Sequence, residues 1–193
     1  MKKVFEQGDF SSYKKINLEM EKRAIYEFAQ AETTVFISHK HSDLEDLKGV
    51  IGFLENQYKV RVYIDSRDSS MPITTSGETA KKIKDRIKKC DKFILLATNG
   101  AIDSKWCNWE LGYGDAHKYE SNIALFPMKP KGENDSSYKG NEYMSIYPFI
   151  SYYEGNVSDR YSNGEPIPRG YYVRTKKDDG SVTITPLNRW LRK

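Results

Sequence analysis

Few residues in this chain have the types and spacing to do chemistry, and most of those are excluded by what lies around them. The two cysteines, Cys90 and Cys107, form no C-x-x-C pair and have no histidine near them in sequence. They read as reduced thiols rather than metal ligands or a disulfide. Cys107 lacks a neighbouring base, so it is not expected to act as a nucleophile. His39 and His41 have no third partner at ligand spacing, and no metal is expected. There is no G-x-G-x-x-G and no P-loop, which disfavours redox or phosphoryl-transfer use of a dinucleotide. What stays is residues 104–111, SKWCNWEL. Trp106 and Glu110 lie four residues apart there, about one helical turn, and can face one cleft. Taken alone, Glu110 would be a solvated helix residue, and Trp106 and Trp109 would suit any core.

These residues need elements to position them. Residues 33–38 (TTVFIS) and 60–65 (VRVYID) read as strands. Residues 92–98 (KFILLAT), apolar throughout, read as a central one, and 122–128 (NIALFPM) as a fourth. Helices are expected between them. The first starts at a Ser42 cap with Glu45 three residues on and runs to about Asn56. The second spans about Gly77 to Cys90, with Ala80, Ile83, Ile87 and Cys90 on its apolar stripe, and 104–117 reads as a loop entering the third. Asp43 and Asp46 read as first-turn acids suited to the helix dipole. The lysines at 81, 82, 84, 88 and 89 read as a solvated helix face. Alternating strands and helices imply parallel βαβ units in an open, doubly wound α/β sheet, with ligands at the carboxyl ends of the strands. Residues 66–76 read as a long functional loop. Ahead of this pattern, 14–30 reads as a helix. After about Gly132, tyrosine becomes frequent, a hairpin is expected around Asp178-Asp179-Gly180, and a short helix closes the chain. The expected division is therefore 1–32, 33–131 and 132–193.

A chain of 193 residues, 38% hydrophobic and 30% charged, suits one soluble domain with appendages. The net charge of +4 calls for no nucleic-acid partner and is compatible with an anionic ligand. No apolar run follows the N-terminal lysine pair, and none approaches membrane-spanning length, so a cytoplasmic protein without membrane attachment is expected.

Three segments together carry a resemblance. VFISHKHSD resembles the first box of TIR domains, VRVYIDSRD the strand entering their BB loop, and SKWCNWEL the Trp-Cys-x-x-Glu-Leu box of plant and bacterial members. The resemblance covers about residues 33–130 and implies a flavodoxin-like fold. His39 stands where many members have an aromatic residue, and Trp109 is an additional one. Catalytic members of the family cleave NAD+ and need a glutamate in the third box, where this chain has Glu110. A stand-alone chain of this kind resembles bacterial TIR proteins of anti-phage defence, including Thoeris-type systems, whose cyclic ADP-ribose product is sensed by a separate effector.

The resemblance makes NAD+ a substrate rather than a cofactor. Ordinary glycosidases use two carboxyl groups, one of which protonates the leaving oxygen. Nicotinamide leaves NAD+ as a neutral base and needs no such acid. One fixed carboxylate, Glu110, would then stabilise the positive charge that builds on the ribose. Ser38, ending a strand before a helix N-terminus, would hold a phosphate or ribose beside His39. Arg67 would pair with the pyrophosphate, and Trp106 would stack on a base. Water as acceptor gives ADP-ribose; an atom of the same molecule gives a cyclic isomer. Self-association through TIR surfaces is also implied. Two other readings stay open: a non-catalytic TIR interaction module, and an enzyme like the nucleoside deoxyribosyltransferases.

Overall fold

The computed structural model describes residues 4–14, 33–64, 76–118, 120–156, 158–177 and 179–192. The helix expected over 14–30 and the loop holding Arg67 lie outside them, save for the ends of those ranges. The described residues form one eight-stranded sheet. Its strands are β1 (Phe5–Glu6), β2 (Thr34–Ser38), β3 (Arg61–Tyr63), β4 (Lys92–Thr98), β5 (Ile123–Lys129), β6 (Phe149–Tyr153), β7 (Gly170–Lys176) and β8 (Val182–Pro186). Their order is β3-β2-β4-β5-β6-β7-β8, with β1 pairing on β5. The pairs from β3 to β6 are parallel, and β6-β7-β8 is antiparallel. The first four strands of the βαβ pattern thus lie in the doubly wound order the alternation predicts.

Two helical layers cover this sheet. Helix α1 (Leu44–Tyr58) buries Leu47, Val50, Ile51 and Leu54 on one face. Helices α2 (Gly77–Lys89) and α4 (Lys105–His117) cover the other, with Ile83, Ile87, Cys107 and Leu111 in its core. Alternation along β4 feeds both: Ile94 and Leu96 join the first core, and Phe93, Leu95 and Ala97 the second. This is why the whole strand reads as apolar. Helix α2 starts at a capping box in which Ser76 and Thr79 exchange hydrogen bonds. The cap expected at Ser42 does not form. A 3-10 turn, His41–Asp43, precedes α1, and Ser42 Oγ donates to Asp43 Oδ1 at 3.0 Å.

Several elements escape the sequence pattern. The short helices α3 (Asn99–Ile102) and α5 (Tyr143–Ile146) and strand β6 were not expected, nor was β1. Strand β1 seats Phe5 and Phe10 against Phe126 and Tyr171. The following turn crosses α1 so closely that a Cβ at Gly52 would stand 2.0 Å from the Tyr13 carbonyl oxygen. Strand β5 runs through Pro127. On the side away from β4, its pairing passes from β6 at Leu125 to β1 at Met128, so the proline falls at the changeover. The hairpin β7–β8 extends the same sheet, and α6 (Leu187–Trp190) returns Leu187 and Leu191 to the first core. No helix among the described residues is long and apolar enough to cross a membrane.

Candidate active site

Strand order reverses between β2 and β4, and the carboxyl ends of these two strands carry the polar side chains that matter. Ser38 ends β2 and Thr98 ends β4; both are buried. Helix α4 brings the third group. Ser104 caps it by accepting from the Cys107 amide at 3.3 Å. Its sheet-facing stripe is Cys107, Glu110, Leu111 and Gly114, positions three and four apart. A carboxylate in the apolar stripe of a helix is the anomaly here. Glu110 is only 3% exposed, and a buried charge without hydrogen bonds is costly enough to be rare.

Glu110 is not left without them. Ser38 Oγ donates to Glu110 Oε2 at 2.5 Å, across 72 residues of sequence. A hydroxyl donating to a carboxylate makes a short, charge-assisted bond. A second pair stands beside the first. Thr98 Oγ1 donates to Asp43 Oδ2, also at 2.5 Å, and accepts from the Ala101 amide at 2.9 Å. Asp43 is 7% exposed, so its carboxylate turns inward to Thr98 rather than sitting in solvent as a first-turn acid.

Cys107 is buried within electrostatic reach of both pairs. Burial is the main cause pushing its thiol pKa up; Glu110 and Asp43 add to the rise, and hydrogen bonds from the Ser104 and Ser38 sides oppose it. A thiol kept protonated in this way is a filler, not a nucleophile.

The structure therefore brings Ser38 and Glu110 together. His39 follows Ser38, half-buried, with Nδ1 3.5 Å from the Ile37 carbonyl oxygen. Trp106 is half-buried on a different flank of α4. Its ring centroid lies 4.8 Å from that of Trp109, and the series continues through Tyr113 to His117. Lys84 and Lys88 of α2 sit over these rings. Trp106 thus belongs to an aromatic ladder between α2 and α4, one turn from Glu110 but not on the same stripe. Arg67 lies outside the described residues. Asp43 and Thr98 are the residues sequence reasoning missed, because their adjacency depends on the strand order. A cavity of about 490 Å³ lined by Tyr153, Asn156, Asp159 and Arg174 shares no residue with this site.

The strand order and helical layers are those of a flavodoxin-like α/β domain, and the comparison with known families names its class. Residues 35–155 match the TIR domain, and the chain belongs to that family. It is also 30% identical over 119 residues to the "Probable 3' cyclic ADP-D-ribose synthase ThsB'" of Bacillus cereus (strain MSX-D12). The match takes in 61% of this chain and 60% of that protein, so it spans about three-fifths of the relative's length.

Proposed function

We propose that this chain cleaves the nicotinamide–ribose bond of NAD+, with Glu110 as the catalytic carboxylate, and closes the remainder into a cyclic ADP-ribose isomer. The observation that carries this reading is the Ser38–Glu110 pair at the carboxyl ends of the strands. It holds a buried carboxylate at the place where open α/β sheets take ligands. The name of the Bacillus cereus relative supports the cyclic product over simple ADP-ribose.

The pyridinium of NAD+ departs as neutral nicotinamide, taking the electrons of the broken C–N bond. The sugar carbon is left cationic until an adenine nitrogen or a ribose hydroxyl of the same molecule bonds to it and the adduct releases a proton. A carboxylate fixed nearby stabilises that charge most when it is largest, at the transition state. Burial strengthens the effect, because water is not there to screen it. Ser38 keeps the carboxylate aimed without removing its charge. His39, the half-buried indole of Trp106 and Arg67 are the proposed contacts to ribose, base and pyrophosphate. NAD+ is substrate throughout, and the mechanism calls on no metal. The proposed setting is a Thoeris-type anti-phage response in the cytoplasm. There, self-associated chains make the signal and a separate effector senses it.

Incubation with NAD+ and mass spectrometry of the products tests the proposal. The wild-type chain is expected to release nicotinamide and an isomer with the mass of cyclic ADP-ribose. A Glu110→Ala variant should be slower by about two to three powers of ten. Equal rates in the two proteins would remove Glu110 from the chemistry. Silence of the wild type, with and without lysate of infected cells, would favour an interaction module.

A further inference from the structure

The second carboxylate–hydroxyl pair has no part in the chemistry above, yet it is buried beside it. Each pair joins the end of one central strand to a helix on the far side of the neighbouring strand's loop. Ser38 of β2 holds Glu110 of α4, and Thr98 of β4 holds Asp43 at the start of α1. Ser38 and Asp43 bracket a single short connection, which the Asp43 amide closes by donating to the Lys40 carbonyl at 2.9 Å. Thr98 is itself pinned by the Ala101 amide at the first turn of α3. Ser38 stands opposite Leu95 in the β2–β4 register, so Thr98 overhangs the end of β2. Cys107 is buried within electrostatic reach of both carboxylates.

We propose that Asp43 and Thr98 are positioning residues for Glu110: their bond locks the β2–α1 connection against the tip of β4 and so fixes where Ser38 presents its hydroxyl. This rests on the reading of Glu110 as the catalytic carboxylate. The connection 39–42 has no regular strand or α-helix of its own. Pairing with β4 at Leu95 still holds Ser38 without the Asp43–Thr98 bond, but the connection that leaves it loses its tie to the tip of β4, and a carboxylate misplaced by about 1 Å loses about a hundredfold in rate. The bond matters for geometry rather than charge. Asparagine at 43 keeps an oxygen that accepts from Thr98, and serine at 98 keeps the hydroxyl.

The experiment measures kcat and KM for nicotinamide release by the full chain, with thermal melting as the check on folding. Thr98→Val and Asp43→Ala delete the bond; Thr98→Ser and Asp43→Asn preserve it. The first two are expected to lower kcat by about ten- to a hundredfold, with KM within about twofold of the wild type. The second two should stay within about threefold of the wild type in kcat. A merely structural role would lower melting temperature without this split between kcat and KM. If Thr98→Val does not fold because it leaves the buried Asp43 carboxylate without that donor, Asp43→Ala carries the same test by removing the carboxylate instead. Wild-type kcat in either deleting variant overturns the inference, as does equal impairment of the conservative ones. A wild-type chain that releases no nicotinamide overturns the reading of Glu110 first, and this inference with it. Activity abolished by Glu110→Ala but indifferent to Thr98 and Asp43 overturns this inference alone.

Discussion

Glu110 and Ser38 meet through a single short bond in a place that water does not reach freely. Removing the serine hydroxyl takes a donor from a buried charge. That costs about 1–3 kcal/mol. The cost depends on the carboxylate being there to lose that donor. Ser38→Ala should therefore destabilise the wild-type chain by that amount. In a Glu110→Ala background it should cost less, with a coupling of about 0.5–3 kcal/mol between the two changes. Urea unfolding of the four proteins measures the coupling, and strictly additive costs would show that the bond contributes nothing. The same pair shows what a sequence can reveal at this scale. Glu110 stood out only through its place in SKWCNWEL, because a glutamate in a helix is otherwise unremarkable. Asp43 was misread because a carboxylate near a helix start already has an explanation, and its partner Thr98 lies 55 residues away.

Elements were legible where periodicity had length to express itself. Strand β4 shows as an unbroken apolar run because each face of it meets its own core. Helix α4 lies within residues 104–117, where the sequence reads as a loop entering a helix. Strand β1 has two residues and helices α3 and α5 have four each, too few for a period of 3.6 or even 2 to register. Strand β6, FISYY, is tyrosine-rich and follows Pro148, which hides it in a stretch that looks like loop. The seating of residues 4–14 on α1 was not legible at all, since it is recorded in glycines. Gly to Ala in an unconstrained helix gains about 1 kcal/mol. At Gly52 the new Cβ meets the Tyr13 carbonyl oxygen at 2.0 Å. Gly52→Ala should instead lose about 1–3 kcal/mol, as overpacking does. A melting temperature at or above the wild-type value would mean that this segment is not held against α1.

On the scale of the whole molecule, the site is a small part of a sheet that draws strands from nearly the full length of the chain. The hairpin β7–β8 and helix α6 are joined to the α/β unit by packing as well as by pairing. Trp190 is buried, donates its indole N–H to the Ser121 carbonyl at 2.7 Å, and lies 4.8 Å from the ammonium of the fully buried Lys92. Trp190→Ala should cost about 3–5 kcal/mol, the usual range for a buried tryptophan. It should do so in the stability of the α/β unit and not of the hairpin alone. Hydrogen exchange along β4 is the measurement, and unchanged protection there would mean that α6 is an independent appendage. The parallel pairing of β1 with β5 has a consequence for biosynthesis. Phe5 leaves the ribosome long before Phe126, Met128 and Tyr171, the residues that will cover it. Its ring has Phe10 beside it but lacks the rest of its cover while most of the protein is still being made, and the fold closes late and slowly around contacts so distant along the chain.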